Sequence, residues 1–171
     1  MGITQKPWVN FIGFQLYWWS CILLQNHAVV ICLALLSIHL YFHQAPQQEA
    51  KSLLMLGIMG FTVDCILALF DWFQFNHSPS YLPPVWLLFL WLGFATNVTT
   101  LSSLFRSSWL TIAVAGGLLA PLSYLAAAKL GAVIFPSGMF TTWLVLLPIW
   151  TLLLPALFYS QYRLEDTALE N

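Results

Sequence analysis

Charge is what this sequence has least of. Only 6% of its 171 residues are Asp, Glu, Lys or Arg, while 60% are hydrophobic. A soluble domain carries about 25% charge, and no soluble fold of this length hides so much apolar surface. The few charges nearly cancel, to a net −1, and form no basic block. That removes the electrostatic footprint of a nucleic-acid-binding protein. Cysteine is scarce as well. Cys21, Cys32 and Cys65 all sit in apolar runs with no CxxC among them, so neither a disulfide framework nor a metal site is expected. No two histidines have metal-ligand spacing, and HExxH, GxSxG, the P-loop and the dinucleotide fingerprint are all missing. No cofactor is expected. The N-terminal run lacks a cleavable-signal pattern, since Lys6 alone precedes it and no A-x-A follows, so it reads as a retained helix. Spans one to three and four to six share no aligned polar positions, which leaves an inverted repeat without support.

What is present is a series of apolar runs of membrane-spanning length, roughly 20 residues each. They fall at about 8–25, 27–43, 52–75, 84–105, 109–130 and 139–159. The expected fold is an all-α bundle of six transmembrane helices forming one domain. The second run is short, about 24 Å at the helical rise. Residues 44–51 (QAPQQEAK) read as a polar loop, and 161–171 as a short cytoplasmic tail. Six spans put both termini on one side. With that side cytoplasmic, Lys6, Lys51, Arg106 and Arg163 all lie inside and Lys129 alone lies outside, as the positive-inside rule asks. Five spans would strand Lys6. Trp8 and Trp109 then mark the inner boundary, and Trp72, Trp86 and Trp143 the outer one. Trp91 and Trp150 fall nearer mid-membrane, where they either pack between helices or line an apolar pocket.

The third run should not contain an acid, yet it carries Asp64 near its middle and Asp71 seven residues on. A carboxylate at that depth is expensive and marks a functional site unless a partner compensates it. Gly57, Gly60, Asp64, Ala68 and Asp71 form one helical stripe of small and acidic residues, and small residues let a neighbouring helix approach closely in lipid. Asp71 lies ~11 Å farther out than Asp64, and Lys129 ~14 Å past the centre of span five. The similar depths predict an Asp71–Lys129 ion pair. Asp64 has no cation at its level. Its expected partners are Asn97 or Gln15, with Asp64 as a protonated hydrogen-bonding acid. Span five has its own small-residue stripe of Gly116, Ala120, Ser123, Ala127 and Gly131, with Tyr124 beside it. Two glycosylation sequons occur. The one at Asn97 lies inside a span and is discounted, and the one at Asn76 falls in an outer loop.

The stretches NFIGFQLYWWSCIL (10–23), PVWLLFLWLGFATNVTTLSSL (84–104) and GGLLAPLSYLAAAKLGAV (116–133) resemble a family of small bacterial inner-membrane proteins known only as a domain of unknown function. The resemblance implies a multi-pass bacterial inner-membrane location, and an association with membrane-lipid modification and stress response. It implies no catalytic residue. Pro83-Pro84-Val85-Trp86 is similar to a stretch of the tryptophan-rich sensory proteins, whose span count and other motifs do not fit.

Three functions are compatible with these residues. In the first, the bundle binds or modifies an apolar molecule or membrane lipid. Asp64 is then the candidate catalytic acid, while Asn97, Ser123, Tyr124 and Gln15 line the site and Asp71 and Lys129 guard its mouth. In the second, Asp64 carries protons for a small transporter. In the third, the protein is a non-catalytic partner of another membrane protein.

Overall fold

The computed structural model describes residues 6–75, 82–105 and 108–169. Six α-helices follow in order: α1 Pro7–Leu24, α2 Val29–Tyr41, α3 Pro46–Leu69, α4 Val85–Phe105, α5 Trp109–Lys129 and α6 Met139–Leu169. Among the described residues there is no strand, only an isolated antiparallel bridge between Gln74 and Ile134. Five helical stretches are long and apolar enough to cross a membrane, and the protein is a multi-pass membrane protein of all-α class. The first of those stretches, Pro7–Tyr41, contains both α1 and α2. A turn of 3-10 helix over Gln25–Ala28 separates them, entered through Gln25 at φ 50°. The two helices fold back on each other. Cys21 and Cys32 bring their sulfurs to 3.5 Å, and the Tyr17 hydroxyl donates to the Cys32 carbonyl at 3.1 Å.

Side-chain contacts divide the bundle into two ends. At one end Asn10 of α1 donates to Thr100 of α4, His39 of α2 meets Glu49 of α3, and Tyr162 of α6 donates to the Ser102 carbonyl of α4. At the other end lie the Gln25–Ala28 turn and the segments after α3 and α5. We call these the polar end and the bridge end.

Helix α3 begins and stops earlier than its apolar run. Pro46 occupies its first turn, where the missing N–H costs nothing, and Glu49 follows in the same turn. The 44–51 stretch is therefore mostly helix, not loop. The helix ends because Asp71 takes the left-handed conformation at φ 59°. Its N–H bonds to the Ala68 carbonyl and that of Trp72 to the Leu67 carbonyl, the double hydrogen bond that closes a helix C-terminus. Asp71 consequently lies outside the helix and shares no helical face with Asp64. Helix α5 ends the same way sixty residues later, with Gly131 at φ 79° and N–H bonds from Gly131 to Ala128 and from Ala132 to Ala127. The two following segments then pair through Gln74 and Ile134, with N···O distances of 2.9 and 2.8 Å. A local repeat of α3 and α5 thus exists, although no aligned polar positions reveal it.

Helix α6 also departs from expectation. It runs through most of the stretch read as a polar tail, because Gln161, Tyr162 and Glu165 fall on the face that meets α4. Tight packing is confined to particular pairs: α5 against α6, α3 against α4, and α1 against α4. Helix α5 leans on α6 and hardly touches α1 or α4. That imbalance positions the site.

A buried acid behind an aromatic cavity

Gly57, Gly60, Asp64 and Ala68 all turn toward the bundle interior and are buried. The stripe works as small residues do in lipid-embedded helices, by admitting a neighbour. A side chain on Gly60 would fall on the Trp91 ring of α4, and one on Gly57 would meet Leu92 at 2.7 Å. With only hydrogen at position 60, the Trp91 indole lies across α3, and its Nε1 donates to Oδ2 of Asp64, one helical turn on, at 2.7 Å. From the other side the Tyr124 hydroxyl of α5 reaches Oδ1 at 2.9 Å and Oδ2 at 3.1 Å. Asp64 is 1% exposed. Its carboxyl is thus held by two neutral donors on two different helices, with no cation. Neither Asn97 nor Gln15, the partners expected from the sequence, bonds to it.

The partners of Asp64 form an aromatic wall. Trp91 stacks on Trp150 of α6 with centroids 5.4 Å apart and planes 6° from parallel. Tyr124 stands against Trp150 at 6.0 Å and stacks on Phe73 at 5.4 Å. This wall bounds a cavity of about 440 Å³, within the usual range of small-molecule pockets, about 300–1,000 Å³. Four residues expected from the sequence to line a site, Gln15, Asn97, Ser123 and Tyr124, come from α1, α4 and α5 and all line this cavity. The small stripe of α5 explains the space. Ala120, Ser123 and Ala127 face the cavity and leave it unfilled, whereas Gly116 admits the Trp150 carbonyl and Leu154 of α6 and the α3 stripe is filled by α4. Phe11 and Leu119, 58% and 65% exposed, stand at its rim on α1 and α5. Those two helices barely touch each other.

The polar groups of the cavity differ in availability. The Tyr124 hydroxyl is spent on Asp64, and that of Ser123 donates to the Ala120 carbonyl at 2.9 Å. Asn97 is 9% exposed, and its amide nitrogen is buried with no hydrogen-bond partner. Asp64 stands behind the wall rather than in it, so it acts on the cavity through Trp91 and Tyr124.

The expected Asp71–Lys129 pair does not form. Asp71 is exposed in its turn, and its Oδ1 accepts from Gln74 Nε2 at 2.8 Å. Lys129 is the exposed last residue of α5. The two positions do sit at the same end of the bundle, joined through the Gln74–Ile134 bridge, so the depths agree while the side chains diverge. The Asn76 sequon, His77 and Arg106 lie outside the described residues. Among the described residues no group of His, Cys, Asp and Glu is arranged to hold a metal ion.

A second polar cluster lies at the other end. Glu49 Oε1 accepts from His39 Nε2 at 2.9 Å and from the Thr99 hydroxyl at 2.8 Å, and His43 Nε2 stands 3.7 Å from Oε2. All three ionisable side chains are largely buried. Nearby, Glu165 accepts from Ser102 at 2.6 Å and from Gln161 at 3.0 Å. Reading Glu49 as a loop residue hid this cluster. The available signal was an acid three residues after Pro46, the pattern of a helix first turn.

A family model described as a protein of unknown function (DUF2878) matches residues 7–156. The match takes in Asp64, its two donors, Glu49 and the cavity, and stops short of Gln161 and Glu165. No curated protein and no solved structure matches the chain.

Proposed function

Because the chain belongs to the DUF2878 family, whose description assigns no function, we propose a role from its geometry: a bacterial inner-membrane protein that takes an apolar, lipid-like molecule into the bundle and holds it there. The helices cross the bilayer six times, α1 and α2 as a hairpin. The short second crossing is supported by the fold-back of Cys32 onto Cys21 and Tyr17. The polar end, with both termini, faces the cytoplasm, which keeps Lys6, Lys51 and Arg163 on the positive-inside surface.

One observation carries the reading. The cavity is lined almost wholly by apolar and aromatic side chains, and two of its lining residues, Phe11 of α1 and Leu119 of α5, are themselves exposed on helices that barely touch each other. A water-soluble substrate would need an entrance at an end; a bilayer-dissolved one enters sideways. Gln15, Asn97, Ser123 and Tyr124 bind the molecule, and Asp64 is a positioning residue that fixes Trp91 and Tyr124. Its two oxygens are already occupied by donors, which disfavours the direct proton-carrier and transporter alternative.

The test is solvent extraction of the purified protein, followed by mass spectrometry of what co-purifies. The wild-type protein should carry an apolar compound in stoichiometric amount. Ala120→Phe, which fills the cavity from α5, should lose it. Asp64→Asn should retain stability to within about 1 kcal/mol, since the amide keeps the volume and one acceptor, yet carry severalfold less compound. Equal amounts in all three proteins would end the proposal.

A further inference from the structure

The chemistry of the cavity wall narrows the class of molecule, on the premise that the cavity binds an apolar guest at all. Acyl chains are flexible and round in section, and nothing in their packing calls for flat partners. This wall is flat. Trp18, Phe73, Trp86, Trp91, Phe94 and Trp150 line it together; Trp91 and Trp150 stack on each other, and Phe94 meets both edge-on. Aromatic faces favour a planar ring in offset or edge contact, by about 0.5–1.5 kcal/mol per pair beyond area alone.

The second observation is polar. Asn97 leaves a buried amide nitrogen without a partner at the cavity wall. Gln15 adds a second amide to the lining. The two lie at similar height, because Asn10 pairs with Thr100 and Phe14 packs on Phe94 at 5.5 Å, which fixes the antiparallel register of α1 on α4. That places Gln15 within about one turn, ~5 Å, of Asn97 along the axis. Both stand near the middle of their helices. An unmatched amide away from water is costly, and a phospholipid has no oxygen at that depth to relieve it, since its ester groups lie at the surface. A guest that does must carry oxygen on a part that dissolves in the bilayer interior.

We propose that the cavity takes a planar conjugated ring bearing carbonyl or hydroxyl oxygens and a long apolar tail, the chemical class of the prenylated quinones. The ring lies against Trp91 and Phe94, one oxygen accepts from the Asn97 amide, a second group meets Gln15, and the tail leaves between Phe11 and Leu119. The step is binding only, with no electron transfer.

Calorimetric titration of the full-length protein in lipid nanodiscs tests this with two probes. One is a benzoquinone with a ten-carbon tail, and the other is a cyclohexane with the same tail and no oxygen. The quinone should bind about tenfold or more tightly than the cyclohexane, the margin expected from one hydrogen bond plus ring stacking. Asn97→Leu should weaken the quinone about fivefold, one hydrogen bond's worth, and leave the cyclohexane unchanged. Gln15→Leu, at a half-buried side chain, should do the same and decides the matter if Asn97→Leu fails to fold. Equal affinity for both probes, or quinone binding indifferent to Gln15→Leu and Asn97→Leu, would overturn the ring class while leaving an apolar-guest site standing. If neither probe binds, the apolar-guest reading falls with it.

Discussion

Two carboxylates are buried in this bundle, Asp64 toward the bridge end and Glu49 at the polar end, and they are accommodated in opposite ways. Glu49 is 6% exposed and stands between two histidines, with the Thr99 hydroxyl as a third neighbour. It also sits in the first turn of α3, where the helix dipole favours a negative charge. Asp64 has none of these supports. It lies in the second half of the helix, is held by an indole and a phenol, and stands behind the aromatic cavity. Glu49 ties together α2, α3 and α4. Asp64 ties α3 to α4 and α5, and its surroundings contain empty space. A buried acid inside a membrane protein is therefore not by itself a mark of function; what distinguishes the two is whether the groups around the acid are also presented to something else.

The comparison breaks most sharply on removal of the structural acid. Glu49→Ala would leave His39 and Thr99 facing a hole with two buried hydrogen-bonding groups unsatisfied, at about 1–3 kcal/mol each. In a protein of this size that corresponds to a fall in Tm of roughly 10 °C, read by thermal unfolding in detergent. The apolar compound carried by the folded fraction should be unchanged. Asp64→Asn should show the reverse pattern, little change in Tm and loss of the compound. If the two variants behave alike, the division between a structural and a functional acid is wrong.

A smaller effect sharpens the account of how Asp64 is held. Gly60→Ala adds a methyl group where the Trp91 ring lies. Overpacking of this kind costs about 1–3 kcal/mol, and here it must push the indole off α3, away from Oδ2 of Asp64. The near-ultraviolet circular dichroism of the stacked Trp91–Trp150 pair should change, and Tm should fall by a few degrees. Glu49, the partner of His39, lies about 16 Å from Gly60 along α3, so a histidine NMR signal from His39 should not move. A variant with wild-type dichroism would mean that the indole does not depend on the glycine.

Much of this was legible in the sequence, for identifiable reasons. The membrane class follows from composition, and the inward direction of Asp64 follows from the 3.6-residue spacing of Gly57, Gly60 and Ala68. The gathering of Gln15, Asn97, Ser123 and Tyr124 around one cavity was readable because polar residues on small-residue faces point to the interior. The partners of Asp64 were not readable. Trp91 looks like a packing residue in a sequence, since its single N–H is a small part of a large apolar ring, and only the close approach allowed by Gly60 brings that N–H to the acid. Glu49 was hidden by the polar residues around it, because hydropathy places a helix start at the first apolar residue, whereas Pro46 and Glu49 start α3 six residues earlier. Depth placed Asp71 and Lys129 correctly at one end, but depth carries no information on the backbone conformation that turns Asp71 away.

Asp71 supplies the smallest test, with a sign opposite to the others. It is an exposed acid whose expected role was an ion pair and whose observed role is conformational. A residue other than glycine at φ 59° bears the crowding of its Cβ against the backbone, which asparagine and aspartate tolerate best. The equivalent position after α5 is Gly131 at φ 79°, with open space around it. Asp71→Gly removes that crowding and gives up only the solvent-exposed hydrogen bond from Gln74. The unfolded chain also gains freedom, which offsets part of the benefit, so a net stabilisation of about 0.5 kcal/mol is expected. Lys129→Ala, by contrast, should leave stability within about 0.5 kcal/mol of wild type, as for surface changes in general. A measured loss of about 1 kcal/mol or more in both variants, twice the usual surface scatter, would restore the ion pair that the sequence suggested. A gain in Asp71→Gly alone would fix Asp71 as the residue that ends the acid-bearing helix, leaving Asp64 as the only carboxylate of α3 with access, through its two donors, to the cavity.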